Sequence, residues 1–195
     1  MPKVVSHDER RLEIVEATWR IIAREGIEHA KMLSIAEEAG YANGALKPYF
    51  PTKDDLLAFA FEHVFNRTNE RIATRIGDLR GLAALTVFCS EVLPLDEERV
   101  AEARIVVTFW QLAVGDADKA RFHGELLDQW RRSMLGFLGE AVDMGEISPR
   151  VPLPDIAEHV MLLLLGAQTF AALSGDPEPP RRFADRIDEY LRLVG

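Results

Sequence analysis

The chain has a single cysteine and no long apolar run, and both absences narrow its class. Cys89 has no second cysteine to pair with, which excludes an intrachain disulfide or a cysteine metal site and fits a reducing cytoplasm. The longest apolar stretch, residues 160–173, is too short for a membrane span and contains Gln168. No basic-then-apolar leader opens the sequence. We therefore expect a cytoplasmic protein that does not enter the membrane.

The spacings that common catalytic sites require are also missing. The sequence has no glycine-rich phosphate loop and no nucleophile elbow. None of its five histidines has a glutamate three positions before it, and no two histidines stand four apart, so the usual di-iron and zinc helices are excluded. We expect no catalytic residue, no metal and no cofactor. The alternative to the DNA-binding interpretation developed below is an all-helical small-molecule-binding protein or enzyme that does not bind DNA.

Basic residues are fewer than acidic ones, and the formal net charge is −9. Even residues 1–55 hold eight Lys or Arg against ten Asp or Glu. Such a balance lowers nonspecific affinity for nucleic acid. Residues 39–53, however, contain Lys47 and Lys53 and no acid, so a basic face is confined to this stretch.

The residue types in positions 31–53 are those of a helix-turn-helix. Ala36 and Ala39 lie on one face of a short helix, and the small Ala36 lets a second helix cross close above it. Gly40 can adopt the left-handed conformation that ends the first helix. Leu46, six residues on, can fill the angle between the two helices. A plain helical hairpin could show the same spacing, so the flanking segments decide between the two.

Capping signals place helices on both sides of this segment. Ser6 and Glu9 have the spacing of a capping box, which predicts a helix that continues to Gly26. Thr52 can cap a further helix. The sequence thus predicts an N-terminal three-helix unit over residues 1–52.

Beyond residue 52 the apolar pattern stays helical, with breaks at glycine and proline and no strand alternation. The predicted helices span residues 53–76, 80–92, 96–114, 118–143, 155–173 and 179–193, and the first of them connects the two domains. The predicted fold is all-α, with a helix-turn-helix domain at 1–52 and a helical ligand-binding and dimerisation domain at 53–195.

Three segments together resemble the tetracycline-repressor (TetR) family of bacterial regulators: residues 35–40, 44–46 and 49–57. The resemblance covers roughly residues 7–60. It implies a repressor that binds a palindromic DNA operator as a homodimer and is released by a small molecule. In that family the third helix enters the major groove, and the residue matching Lys53 meets a phosphate. The DNA-binding residues implied here are Ala42, Asn43, Ala45, Lys47, Tyr49 and Lys53.

Three positions depart from the family pattern. Lys31 and Ala42 stand where the family usually has capping hydroxyl residues, and Lys47-Pro48 replaces an aromatic and a polar residue. Pro48 cannot donate to the carbonyl of Gly44, and it disfavours helical geometry at the residue before it. We therefore expect the third helix to end or kink near Lys47.

Residues 95–173 resemble, more loosely, the choline-responsive, BetI-like branch of the family. Aromatic residues of the middle helices could line an apolar cavity between them, or could simply fill a core. The candidate ligand-binding residues are Phe88, Phe109, Trp110, Gln111 and Trp130. Aromatic rings attract cations, so an apolar or cationic effector is expected.

Residues 160–173 are apolar around nearly the whole helix, so this helix must be covered on almost all sides. In the family it packs with the preceding long helix against their twins in a four-helix dimer interface. An ordinary core helix is the alternative. The predicted dimerisation residues are Met161, Leu164, Leu165, Gln168 and Ala172.

Overall fold

The computed structural model describes residues 6–42, 44–174 and 182–194, and eight α-helices lie within them. They are α1 (His7–Glu25), α2 (Met32–Glu38), α3 (Lys53–Ile76), α4 (Gly81–Val92), α5 (Glu97–Val114), α6 (Ala117–Asp143), α7 (Leu153–Leu173) and α8 (Arg182–Val194). A short 3-10 turn, Ile27–His29, follows α1, and the described residues contain no strand. The all-α class is confirmed, and α3 to α7 begin within two residues of the predicted positions.

Helices α1 and α2 and the start of α3 form the N-terminal part, which we call the head. Both predicted caps are present: Ser6 and Glu9 exchange hydrogen bonds of 3.1 and 2.6 Å, and Thr52 and Asp55 form the same capping box before α3. Fully or nearly fully buried side chains close the core of the head. They are Ile14, Ile22, Ile35, Leu46, Phe50 and Leu56.

Helices α4 to α8 form the second part, the body, around its own core, and α5 in addition packs Ala101 and Ile105 into the core of the head. Helix α7 packs against α5 and α6, and α4 packs against α6. The largest contributors to this core are Leu85, Phe88, Met134, Leu138, Val160 and Leu164. Cys89 lies in the same core, where burial raises the pKa of its thiol and makes it a small apolar side chain.

Helix α3 belongs to both parts. Leu56, Leu57 and Ala60 at its start pack in the head, whereas Ile72 near its end packs in the body. Because one continuous helix runs through both cores, a displacement in the body can be carried to the head.

Helix α7 is the one helix of the described ranges that is long and apolar enough to cross a membrane by length and composition. Its residues Leu164 and Ala167 are fully buried among the other helices of the body. This is the position of a core helix.

Candidate functional site

The turn that follows α2 has the geometry expected of a helix-turn-helix corner. Gly40 has a φ of 76°, a left-handed conformation that glycine adopts without a steric penalty. The backbone N–H of Tyr41 returns to the carbonyl of Ala36 at 2.8 Å and closes the end of the helix. The predicted role of Gly40 is therefore confirmed.

The segment after this corner, residues 44–49, is less regular than a full α-helix. Gly44 has a φ of 82°, and residues 44–49 form successive turns. The N–H of Lys47 bonds the carbonyl of Gly44 at 3.3 Å, and the N–H of Tyr49 bonds the carbonyl of Leu46 at 2.9 Å, both over three residues. A third helix that ends or kinks near Lys47 was expected, whereas the described residues 44–49 form turns in place of an α-helix from Gly44 onward.

Two apolar residues anchor this segment on the head and leave its other face outside. Leu46 and Phe50 are buried, with exposed fractions of 2% and 1%. Among the predicted DNA-binding residues, Ala42 and Lys47 are exposed and Ala45 is half-buried. Asn43, the remaining one of the predicted groove residues, lies outside the described residues.

Tyr49 and Lys53, the two predicted backbone contacts, lie beside the head rather than free in solvent. The ring of Tyr49 packs 4.8 Å from that of His7. Lys53 is the first residue of α3, and its ammonium lies 3.4 Å from the carbonyl oxygen of Ile27. Five of the six predicted positions thus lie within the described residues, and two of them contact α1 or the turn that follows it.

A cavity lies within the body, where α3, α5, α6 and α7 meet. The space inside it is about 30 Å³, enough for one or two waters. Its lining is mainly apolar and aromatic, with Phe61, Phe65, Val106, Trp110, Leu126 and Trp130 as the main members. A larger molecule can enter only if these side chains or helices move.

The predicted ligand-binding residues divide into three groups. Trp110 and Trp130 line the cavity. Phe109 and Phe88 are fully buried one layer behind it: Phe109 stacks on Phe61 at 4.2 Å, and Phe88 meets the edge of Trp130 at 5.8 Å. Gln111 is exposed and borders a separate outer crevice. The assignment of Gln111 to the cavity is corrected here, because its side chain leaves α5 on another face.

Sequence reasoning missed the contribution of the connecting helix. Phe61, Phe65 and Thr68 of α3 line the cavity one above the other. Their spacing of four and three residues was the available signal, since such residues share one helix face. The cavity thus touches the helix that leads to the head.

A charged pair closes one side of the cavity. Glu102 of α5 lines it and is 4% exposed, and Arg71 of α3 holds both of its carboxylate oxygens at 2.8 Å. Glu91 of α4 lies 3.4 Å from the Nε of Arg71 and 2.7 Å from Arg75. Charged groups on three helices therefore meet at the cavity wall.

Three other polar groups belong to residues that line the cavity. Burial lowers the pKa of His123, whose ring lies 5.7 Å from that of Trp110. The indole N–H of Trp110 and the Oε1 of Gln168 are buried and have no hydrogen-bond partner within the described part of the chain. The amide nitrogen of Gln168 donates to the carbonyl of Val92 at 2.6 Å, which fixes the orientation of its amide.

The predicted dimerisation stripe on α7 is turned inward. Met161, Leu164 and Gln168 are buried within the subunit, with exposed fractions of 2%, 0% and 8%. Leu165 borders the cavity, and Ala172 borders the outer crevice. Leu165 and Ala172 are partly exposed, so three of the five side chains are buried within the subunit, and the set as a dimer contact stays a prediction.

The opposite face of α7 is apolar and exposed. Leu162, Phe170 and Leu173 are 58%, 52% and 76% exposed, and Gly166 lies between them on the same face. Among the described residues, no group of three or more His, Cys, Asp or Glu side chains could hold a metal ion.

Both parts of the chain match family models. Residues 14–59 match the model of bacterial regulatory proteins of the tetR family, and residues 82–194 match that of the C-terminal part of BetI-type transcriptional repressors. The transcriptional regulator PksA of Bacillus subtilis is 34% identical over 193 residues, covering 98% of this chain and 90% of that protein. The regulator BetI of Burkholderia ambifaria is 24% identical over 209 residues, covering 100% and 98%.

Solved structures share the whole fold. A TetR transcription regulator from Haloarcula marismortui has a TM-score of 0.84 at 21% identity and covers 96% of this chain and 98% of its own. A regulator from Saccharomonospora viridis, solved in complex with choline, has a TM-score of 0.83 at 18% identity, covering 94% and 96%. At these identities the likeness concerns the fold.

Proposed function

The chain belongs to the TetR family of bacterial transcriptional regulators, and on that premise we propose that it is a homodimeric repressor released from its operator by a small molecule. Regulators of this family bind DNA and small-molecule effectors, typically as dimers. We further propose that residues 1–52 are the DNA-binding part and that residues 53–195 bind the effector and the second subunit. The cytoplasm is the proposed compartment, and no catalytic activity is proposed.

One observation carries the DNA-binding proposal: the segment after Gly40 is held by buried residues on one side and open on the other. Leu46 and Phe50 fix it to the head, while Ala42 and Lys47 are exposed. A segment anchored in this way can enter the major groove without unfolding. We propose the six sequence candidates as the contact set, with Lys47 as the most accessible cation.

The exposed face of α7 supports dimerisation. Leu162, Phe170 and Leu173 place large apolar side chains on one side of a helix, and Gly166 allows a second helix to approach closely. We propose this face as the α7 contribution to the dimer. Two heads are needed because operator half-sites lie one helical turn apart, about 34 to 36 Å.

The cavity supports control by a ligand. Its space suits one or two waters, so a larger effector must move the side chains or helices that line it, which belong mainly to α3, α5, α6 and α7. Helix α3 carries that displacement to the head, and the distance between two heads changes. The effector acts only through its different affinity for the two states. Choline, bound by the Saccharomonospora viridis regulator, is one effector to test.

The test of DNA binding is an operator assay that compares a cation of the head with a cation of the body. DNA from the promoter beside the gene is footprinted, and its affinity is measured over a range of salt concentrations. Lys47→Ala should weaken binding and lower the slope of log affinity against log salt concentration by about one, whereas Arg186→Ala on α8, whose pair with Glu189 is exposed, should change neither. Equal affinity of Lys47→Ala and parent would remove Lys47 from the contact set. No salt-dependent binding by the parent would reject the repressor and favour a ligand-binding scaffold.

The displacement mechanism has its own test. Spin labels on the two heads report their separation with and without an effector that abolishes operator binding. We expect the separation to change when affinity is lost. An unchanged separation across that loss would reject transmission through α3.

A further inference from the structure

We propose that the cavity accepts an uncharged, compact molecule that is mainly apolar and carries a hydroxyl group. This inference rests on the proposed function, because it names the chemical class of the effector. It decides between the apolar and cationic effectors that the aromatic lining alone leaves open.

The charges at the cavity wall are already paired. Of the described residues that line the cavity, Glu102 alone carries a full charge, and both of its oxygens are held by Arg71 at 2.8 Å. The surrounding cluster is balanced within the described part of the chain. It consists of Arg71, Arg75, Arg99, Glu91, Asp96 and Glu102. A cation that enters therefore meets no uncompensated negative charge to replace its lost hydration.

His123 reports the same property from inside the cavity. Burial is the cause that lowers its pKa, and no nearby acid opposes it. A cavity with an uncompensated negative charge would favour the imidazolium and raise that pKa instead. What disfavours a positive charge on His123 also disfavours a positive charge on a ligand placed beside it.

Two buried polar atoms beside the cavity are unsatisfied among the described residues. Gln168 is 92% buried, and its Oε1 is one of them, an acceptor. Its orientation is fixed, because its NH₂ group must face the Val92 carbonyl, which can only accept. Trp110 supplies the other, a buried N–H donor that no described residue accepts from. Both residues line the cavity.

A hydroxyl group matches these two atoms because it donates one hydrogen bond and accepts others. An unsatisfied buried polar atom is costly, so a ligand that satisfies it gains binding energy and selectivity over an analogue that cannot. The rest of the lining is aromatic and aliphatic and suits a compact apolar body.

The experiment compares choline with its uncharged carbon analogue, neohexyl alcohol, in which carbon replaces the quaternary nitrogen. The two probes share shape and hydroxyl group and differ in charge. Binding to the full-length, DNA-free protein is measured by isothermal titration calorimetry. We expect the alcohol to bind at least about tenfold more tightly than choline, and its methyl ether, which cannot donate, to bind more weakly than the alcohol. Equal or tighter binding of choline, or no binding of the alcohol, would overturn the inference.

Variants locate the hydroxyl group. Gln168→Leu should remove the preference for the alcohol over the ether, and Gln111→Leu, at an exposed position outside the cavity, should keep it. Trp110→Phe removes the N–H donor and should lower the affinity for the alcohol, which provides a test even if Gln168→Leu folds poorly. Unchanged binding in Trp110→Phe, together with an unchanged preference in folded Gln168→Leu, would refute this placement.

The outcome is distinguishable from failure of the proposed function. If the alcohol binds as expected but the parent does not bind operator DNA, the repressor is rejected and the ligand class stands. If operator DNA is bound and choline is preferred, the repressor stands and the ligand class is rejected.

Discussion

Replacing Arg71 with leucine tests whether the charged pair at the cavity wall ties the connecting helix to the body. Arg71 on α3 donates to both oxygens of Glu102 at 2.8 Å and to the hydroxyl of Thr68 at 3.1 Å. Glu102 and Glu91 are 4% and 2% exposed, so water cannot replace the lost donors without a rearrangement.

The expected cost follows from this burial. Removing one partner of a buried ion pair costs roughly 3–5 kcal/mol, because the other charge stays buried without compensation. At roughly 2–4 °C per kcal/mol for a chain of this size, Arg71→Leu should lower the melting temperature by roughly 6 to 20 °C. The double variant Arg71→Leu/Glu102→Leu should regain most of that loss, because it removes both charges together.

The assay is denaturant unfolding at one fixed protein concentration, since the proposed dimer would make stability depend on concentration. Arg121→Leu is the matched control. Its pairs with Asp118 and Glu125 are exposed to solvent, and such pairs contribute little. The reasoning is refuted if Arg71→Leu costs no more than Arg121→Leu, or if the double variant is no more stable than the single one.

Three further predictions concern the dimer, pH and the head. Leu162→Asp should give a monomer by light scattering, whereas Val114→Asp, at an exposed apolar position on α5, should stay dimeric. A dimeric Leu162→Asp would exclude the exposed face of α7 as the dimer contact. Burial lowers the pKa of His123, so as pH falls the unfolded chain binds a proton at this residue before the folded chain does. The free energy of unfolding should therefore decrease as pH drops below about 6.5, and His123→Gln should reduce that decrease. An equal pH dependence in variant and parent would contradict this. Leu46→Ala should cost roughly 2–5 kcal/mol and weaken operator binding, and Leu33→Ala, at a half-exposed site, should cost much less; comparable losses would show that Leu46 is not a core anchor of the head.

Local signals in the sequence predicted the helices well, because each depends on a few neighbouring residues. The capping boxes at Ser6 and Thr52 formed as expected, and Gly40 adopted the left-handed corner. The effect of Pro48 on the segment before it was also foreseeable, since proline removes a donor from a known position. The family was recognisable from the same stretch and is confirmed.

The orientation of α7 could not be predicted in the same way. Its apolar residues surround the helix, so periodicity gives no preferred face, and Met161 and Leu162 are equally plausible interface residues until the other helices are in place. The cavity posed a related problem. Phe61 and Phe65 come from a helix that the sequence marks as a connector, and the pairing of Arg71 with Glu102 joins residues 31 positions apart. Such contacts depend on tertiary packing that no single segment encodes.

The broken segment between Gly44 and Tyr49 limits how much sequence each subunit can inspect. Six residues in successive three-residue turns span only about 10 to 12 Å along the axis, or about three base-pair steps, so few base edges come within reach of their side chains. Because each subunit recognises only a few base pairs, discrimination among genomic sites must depend strongly on the spacing between the two half-sites. A regulator built in this way would tolerate many substitutions within its operator and few insertions at its centre.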